Sequence, residues 1–279
     1  MTGLHIVATP IGNLEDVTLR ALRVLAEADL VLAEDTRRTR VLLDRHGVKA
    51  RPLSLHAHNE KSRIERALGV LAEGGSVALV SDAGTPLISD PGERLVAAAL
   101  EAGHAVIPVP GASAVLGALA VAGLPTVPFL FVGFLPRRAG PRDAVLADLS
   151  ERGETLVLFE SPRRLGTTLA RLAEVFGPRP ACVARELTKI HEQVERGSLV
   201  ELAGRFESGV RGEVTIVIGG AAPVTITAAD LDEEIRAGIA AGESAREIAA
   251  KLSQSAGVSR REVYNRALVL ARSASEDQG

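Results

Sequence analysis

Five short apolar runs, separated by stretches of helix length, do most to limit how this chain can fold. Leu4 to Thr9, Leu30 to Ala33, Pro52 to Leu55, Val77 to Val80 and Ala105 to Val109 are each four to six residues long and each runs into turn-forming or charged residues. Val77 to Val80, short, rich in β-branched residues and preceded by Gly74-Gly75, predicts a strand buried on both faces, and the other runs read as further strands. Between them, Leu19, Leu22, Val24 and Leu25, and later Ile64 to Leu71, carry the spacing of helices with one apolar face. Strand alternating with helix predicts an open parallel sheet covered on both sides, so residues 1–120 read as one α/β domain.

Open α/β sheets bind ligands outside the carboxyl ends of their strands. Three such ends here carry small residues: Pro10-Ile11-Gly12-Asn13, Ser81-Asp82-Ala83-Gly84-Thr85-Pro86 and Pro110-Gly111-Ala112-Ser113-Ala114. Gly, Pro, Asp and Ser are ordinary turn residues, so each loop alone is also consistent with a simple connection. The stretch Ser81 to Gly92 is longer than a minimal connection requires, and extra loop length points to function. Converging loops of this kind suit a nucleoside-sized ligand. No Gly-x-Gly-x-x-Gly occurs, which disfavours a nicotinamide or flavin dinucleotide.

Charge gathers at other strand ends. Glu34-Asp35-Thr36-Arg37-Arg38-Thr39-Arg40 follows the second strand, and reads either as a solvated helix face or as a site rim where an acid does chemistry and arginines hold phosphates. His56 and His58 share one side of an extended segment, but no third ligand has familiar spacing, and no metal is expected.

From Pro125 the pattern restarts. Strands are expected at Phe129 to Phe134, Leu156 to Phe159, Cys182 to Ala184 and Val214 to Ile218, giving a second α/β domain over 121–222. Its loops are basic at Arg137-Arg138 and Arg163-Arg164 and mixed at Arg185-Glu186-Leu187-Thr188-Lys189. Pro223 to Thr227 reads as a linker. Beyond it, Ala245 to Leu252, the turn Gly257-Val258, the cap Ser259 and a helix from Arg260 predict a helix-turn-helix-like extension over 223–279, with a disordered tail after Ser273. Six basic and two acidic residues between Arg246 and Arg272 fit either a packing hairpin or nucleic-acid contact.

Composition narrows the class. With 46% hydrophobic residues in 279, the chain can build more than one core. A net charge of −3 supplies no global field for nucleic acid, so any basic surface is local. The single Cys182 rules out an intramolecular disulfide and fits a reducing cytoplasmic setting. The uncharged stretch from Ala105 to Pro136 is broken by Pro108, Pro110, Pro125 and Pro128, so a membrane-spanning helix is not expected.

Seven motifs in order carry a resemblance. Thr9-Pro10-Ile11-Gly12-Asn13-Leu14, Glu34-Asp35-Thr36-Arg37, Ser81 to Pro86, Pro110 to Ala114, Gly133-Phe134-Leu135-Pro136, Glu160-Ser161-Pro162-Arg163-Arg164 and Arg185 to Lys189 closely resemble the ribosomal RNA small subunit methyltransferase I family, of the tetrapyrrole methylase fold. The resemblance implies two α/β domains with a cleft between them, a helical appendage and a homodimer. It implies transfer of a methyl group from S-adenosylmethionine to the ribose 2′-hydroxyl of a cytidine in the decoding region of small-subunit rRNA. One departure is Arg211-Gly212-Glu213, where the family pattern is expected to read Lys-Gly-Glu.

By that resemblance the cofactor is expected on Pro10, Gly12, Asp82, Ala83, Gly84, Pro86, Ser113 and Ala114, with Asp82 pairing its ammonium group. A general base is expected at Glu34 or Asp35, with Glu186 and Lys189 in reserve. Arg37, Arg38, Arg137, Arg138, Arg163 and Arg164 are expected to take phosphates, with Arg260 and Arg261 extending the footprint. With no Trp and one Tyr, phosphate and shape recognition should dominate over base stacking. Two rival readings are a small-molecule methyltransferase of the same fold acting on a tetrapyrrole, and a non-catalytic RNA-binding protein.

Overall fold

The computed structural model describes residues 2–56, 59–222, 228–255 and 259–276. His58, the segment 223–227, the turn at Gly257-Val258 and the last three residues lie outside them. The chain divides into two compact units, Met1–Gly220 and Ala221–Gly279.

The first unit holds two five-stranded sheets. The amino-terminal sheet is built from β1 (Gly3–Val7), α1 (Leu19–Glu27), β2 (Leu30–Ala33), α2 (Thr36–Arg45), β3 (Leu53–Ser54), α3 (Glu60–Ala72), β4 (Ser76–Val80), α4 (Glu93–Glu101) and β5 (Val106–Val109). All its strands are parallel, in the order β3-β2-β4-β1-β5. Alternating side chains feed two cores. Leu4, Val77 and Leu79 meet Ala67, Leu71, Leu95 and Ala99 on one face, while Val7, Val31, Ala78 and Val80 meet Ala21, Val24, Leu25 and Leu43 on the other. Burial on both faces is why β2 and β4 read as apolar runs, whereas the edge strands β3 and β5 are only part-buried.

Helix α5 (Ala114–Ala122) follows β5 but packs elsewhere. Its Val115, Ala118, Leu119 and Ala122 lie against Val157, Cys182, Ala184 and Val217 of the second sheet. A boundary at residue 120 therefore cuts a helix whose buried face belongs to the next sheet.

That second sheet comprises β6 (Phe129–Phe134), α6 (Ala139–Leu149), β7 (Thr155–Glu160), α7 (Leu165–Phe176), β8 (Pro180–Arg185), β9 (Gln193–Ser198), α8 (Leu199–Arg205) and β10 (Val214–Ile218). Its order is β6-β7-β10-β8-β9; only β6 and β7 run parallel, and the remaining pairs are antiparallel. Strand β9 and helix α8 were not expected. Val194 is the one large apolar residue in β9, an edge strand whose pairing satisfies backbone groups without much side-chain burial.

The second unit is a helical cluster of α9 (Ala228–Ala240), α10 (Ala245–Ser255) and α11 (Arg260–Glu276). Leu231, Ile235, Ile248, Leu252, Val263 and Ala267 form its core, and Asp232 pairs with Arg266 between α9 and α11. Ser259 caps α11 as expected, its Oγ accepting from Glu262 N at 3.2 Å. Helix α9 adds an element beyond the expected hairpin, and α11 continues through Glu276, past the expected end of order at Ser273.

Candidate active site

The three small-residue loops of the first sheet meet. Thr9 and Gly84 exchange both backbone hydrogen bonds, at 2.8 and 3.0 Å, and Ala8 N donates to Val109 O at 3.0 Å. These bonds tie the loop after β1 to the loops after β4 and β5. Against them stand the ends of β6, β7 and β10, and the space between is a cavity of about 330 Å³, at the lower end of the 300–1,000 Å³ range of small-molecule sites.

Ala83, Gly84, Ser113 and Ala114 form one wall of this cavity. Phe134, Phe159, Glu160, Gly212, Glu213 and Thr215 form the opposite wall. The Phe134 and Phe159 ring centroids are 5.6 Å apart and tilted by 57°, an aromatic surface at the strand ends. Their signal was present in the sequence, since both residues close apolar runs, but nothing in the spacing showed that they face the loops of the other sheet. Asp90, Ile88 and Ser89 complete the rim and were also not singled out as site residues.

The backbone at this cleft is held in sparsely populated conformations. Leu87, Ser89, Glu186 and Thr188 are the non-glycine residues with positive φ among those described, at 76°, 69°, 50° and 66°. Leu87 and Ser89 fall on the loop that carries the cavity rim, and Glu186 and Thr188 on the loop after β8 beside a separate depression; strain of this kind concentrates where a site over-determines its geometry.

Other expected site residues lie off this cavity. Pro10 and Asp82 line a separate recess of about 50 Å³ with Arg38 and Thr39. Asp82 Oδ1 accepts from Asp35 N at 2.9 Å, and its Oδ2 lies 3.5 Å from Arg38 Nε. Pro86 is buried within its loop.

Gly12 lines an open depression of about 690 Å³ together with Asn13, Arg45, Glu186, Lys189 and His191. A β-carbon there would collide with the Lys189 stem and the Thr188 hydroxyl, so Gly12 admits the chain's own loop, where close approach by a ligand was expected.

The four acid-base candidates occupy different states. Asp35 caps α2, accepting from Arg37 N at 2.9 Å and from the Arg37 guanidinium at 3.0 and 2.7 Å, which holds its carboxyl at about 2. Glu34 is the reverse case. Burial, then the charges of Asp82 and Asp90, push its carboxyl up, and its Oε2 is buried without a hydrogen-bond partner.

Lys189 Nζ donates to Glu186 Oε1 at 2.7 Å and Glu213 Oε2 at 2.9 Å, while Glu213 N donates to the same Glu186 oxygen at 2.9 Å. Burial works against both charges, but these bonds outweigh it, raising the ammonium and lowering the Glu186 carboxyl.

The arginines also separate. Arg37, Arg38, Arg137, Arg138 and Arg163 are exposed, as are Arg260 and Arg261 on the second unit. Arg164 is turned inward. Its Nη2 donates to Leu135 O at 3.2 Å and lies 3.4 Å from Glu160 Oε2, a carboxylate whose side chain is 1% exposed. It neutralises a buried acid in place of the phosphate expected for it.

Known proteins of similar sequence and fold point the same way. The family model described as tetrapyrrole (corrin/porphyrin) methylases matches residues 3–203. A Mesorhizobium japonicum protein named ribosomal RNA small subunit methyltransferase I is 44% identical over 99% of this chain and 95% of its own length. The protein of that name from Mycobacterium tuberculosis is 46% identical over 94% of this chain and 93% of its own. Among solved structures, a uroporphyrin-III C-methyltransferase from Thermus thermophilus complexed with S-adenyl homocysteine shares the fold, with a TM-score of 0.56 and 22% identity over 78% of this chain and 97% of that one. The family match over residues 3–203 and the identity along nearly the whole length agree: the chain belongs to the ribosomal RNA small subunit methyltransferase I family, within the tetrapyrrole methylases.

Proposed function

We propose that this protein transfers a methyl group from S-adenosylmethionine to the 2′-hydroxyl of a cytidine in the decoding region of small-subunit rRNA. The observation that carries the reading is the cavity between the two sheets, with backbone-lined loops on one wall, two phenylalanines on the other and, among the described residues, no basic side chain in its lining. That donor set fits a cationic nucleoside. Small residues at Ala83, Gly84, Ser113 and Ala114 let backbone groups reach an adenosine, and the rings offer it an apolar face. When bound, the cofactor supplies an already activated methyl group, so the protein's work is to align the acceptor and exclude water.

The residue roles we infer follow from the states of the side chains. Ala83, Gly84, Ser113 and Ala114 hold the cofactor, with Pro10, Gly12, Asp82 and Pro86 shaping the loops that carry them. Glu34 takes the ribose proton, since a carboxyl raised toward neutrality accepts a proton better than Asp35, and Glu186 and Lys189 are tied to each other. Arg37, Arg38, Arg137, Arg138 and Arg163 guide the phosphates. Domains 1–120 and 121–222 supply the two walls, and 223–279 extends the footprint through Arg260 and Arg261.

The substrate we favour is the assembled small subunit or its rRNA in the cytoplasm, and the acting species a homodimer. Exposed Leu116, Val127 and Phe129, at 60%, 83% and 39%, support a second copy packing near α5 and β6. Incubating the protein with small ribosomal subunits and labelled S-adenosylmethionine, then mapping the label by mass spectrometry, tests the function. Label on a cytidine ribose supports it. Subunit binding without transfer overturns it, as does label passing only to a tetrapyrrole supplied in a parallel reaction.

A further inference from the structure

Three carboxylates line the cavity between the sheets: Asp90, Glu160 and Glu213. Two have a partner of opposite charge, since Arg164 lies 3.4 Å from Glu160 and Lys189 lies 2.9 Å from Glu213. Among the described residues, none pairs a basic group with Asp90. Its electrostatic neighbours are Asp82, whose charge is shared with Arg38, and Glu34, whose Oε2 has no partner. The cavity therefore presents one unneutralised negative charge, part-buried, on a loop whose preceding residue, Ser89, is held at φ 69°.

An unpaired carboxylate at a part-buried wall is costly unless a ligand supplies the missing cation. S-adenosylmethionine carries two positive groups. Its ammonium has the ligand's own carboxylate one carbon away, whereas its sulfonium has no counter-ion in the molecule. Resting on the function proposed above, we propose that Asp90 is the counter-charge to the sulfonium and that it lets the cavity distinguish S-adenosylmethionine from S-adenosylhomocysteine. The product lacks both the transferred methyl group and that charge, so the charge attraction that seats the donor is absent once the methyl group has left. The state of Asp90 agrees with this role: burial and then the Asp82 charge push its carboxyl up against the Ser81 hydroxyl bond, a bias that a nearby cation would reverse.

Calorimetric titration of the full chain with each ligand, for wild type, Asp90→Asn and Asp90→Ser, tests the assignment without any turnover. Affinity for S-adenosylmethionine should fall about tenfold or more in both variants, the scale of one screened charge pair, while affinity for S-adenosylhomocysteine changes by less than about threefold. Binding of the neutral thioether also reports that the cavity is intact. Equal loss of both ligands, or no loss of either, overturns the assignment. A wild-type protein that binds neither ligand would instead remove the proposed function.

Discussion

The aliphatic stem of Lys189 fills the space that a β-carbon on Gly12 would need, with the Thr188 hydroxyl on the other side of that space at 2.8 Å. Asn13 N donates to Thr188 Oγ1 at 3.0 Å, so the loop after β1 is clasped by the loop after β8. Because Lys189 also bonds Glu186 and Glu213, the clasp reaches the cavity wall at Glu213.

Gly12→Ala should therefore act as overpacking of a joint between the two sheets. A methyl group forced into a filled space typically costs about 1–3 kcal/mol, and here the neighbours that must give way are a flexible stem and a hydroxyl. The variant should melt several degrees lower, with its loss less than additive when combined with Lys189→Ala. Strict additivity in denaturant melts, or a drop in cofactor affinity at unchanged stability, would return Gly12 to a ligand-facing role.

The pairing of buried Glu160 with part-exposed Arg164 makes a second expectation. Glu160 accepts from Ser161 N at 2.7 Å and from Thr168 Oγ1 at 2.6 Å, but Arg164 is the cation beside it. Arg164→Met leaves a buried charge with neutral donors only; removal of one partner from a fully buried pair costs about 3–5 kcal/mol, an upper bound here because the Arg164 side chain is 27% exposed. Adding Glu160→Gln should restore much of the stability. If Arg164→Met instead leaves stability intact and lowers the salt dependence of RNA binding, the residue binds phosphate.

What could be read from the sequence divides along physical lines. Strands β1, β2, β4 and β10 were legible because their burial on both faces leaves a mostly apolar record, interrupted by the buried His5, Ser76 and Thr215. Strand β9 was not, because an edge strand needs backbone pairing more than apolar side chains. Helix α8 left a signal that went unread: Ser198 and Glu201 form a capping box, with Ser198 N donating to Glu201 Oε2 at 2.7 Å.

The loops that meet at Gly84 and Ser113 were legible as small-residue turns. Which charged residue faces which was not, since Arg163 and Arg164 are adjacent in sequence yet one is exposed and the other turned onto Glu160. Asp90 was hidden for the same reason, reading as part of a Ser-Asp-Pro-Gly turn until its neighbours were placed.

Glu34 gives a prediction whose size depends on pH. Its folded carboxyl is raised above the unfolded value, so the fold binds its proton more tightly than the unfolded chain does. That contribution is fully present below the unfolded carboxylate range, about 4.3, and is lost as pH rises through the folded value. Glu34→Gln should thus be more stable than wild type at pH 8, with the difference shrinking toward zero near pH 4. Turnover should fall by about a hundredfold or more while cofactor affinity holds, as for loss of a general base. Denaturant melts at the two pH values and a methyl-transfer assay check both arms; full turnover in Glu34→Gln would end its role as proton acceptor.

The exposed arginines on the loops before α6 and α7 separate guidance from structure. Arg137, Arg138 and Arg163 are exposed, and no ion pair is seen for them among the described residues, so their removal should leave the melting temperature within about a degree. Replacing one phosphate-binding arginine should reduce the magnitude of the salt slope of RNA binding by about 0.7 to 1, because each neutralised phosphate releases roughly one condensed counterion. The triple Ala variant should therefore bind small-subunit RNA more weakly at low salt and converge with wild type as salt rises. Arg37 is expected to do less: its guanidinium is already engaged with Asp35 at 2.7 Å, and a phosphate must displace that carboxylate to be held. Equal slopes for the wild type and the triple variant would place the RNA on another face of the molecule.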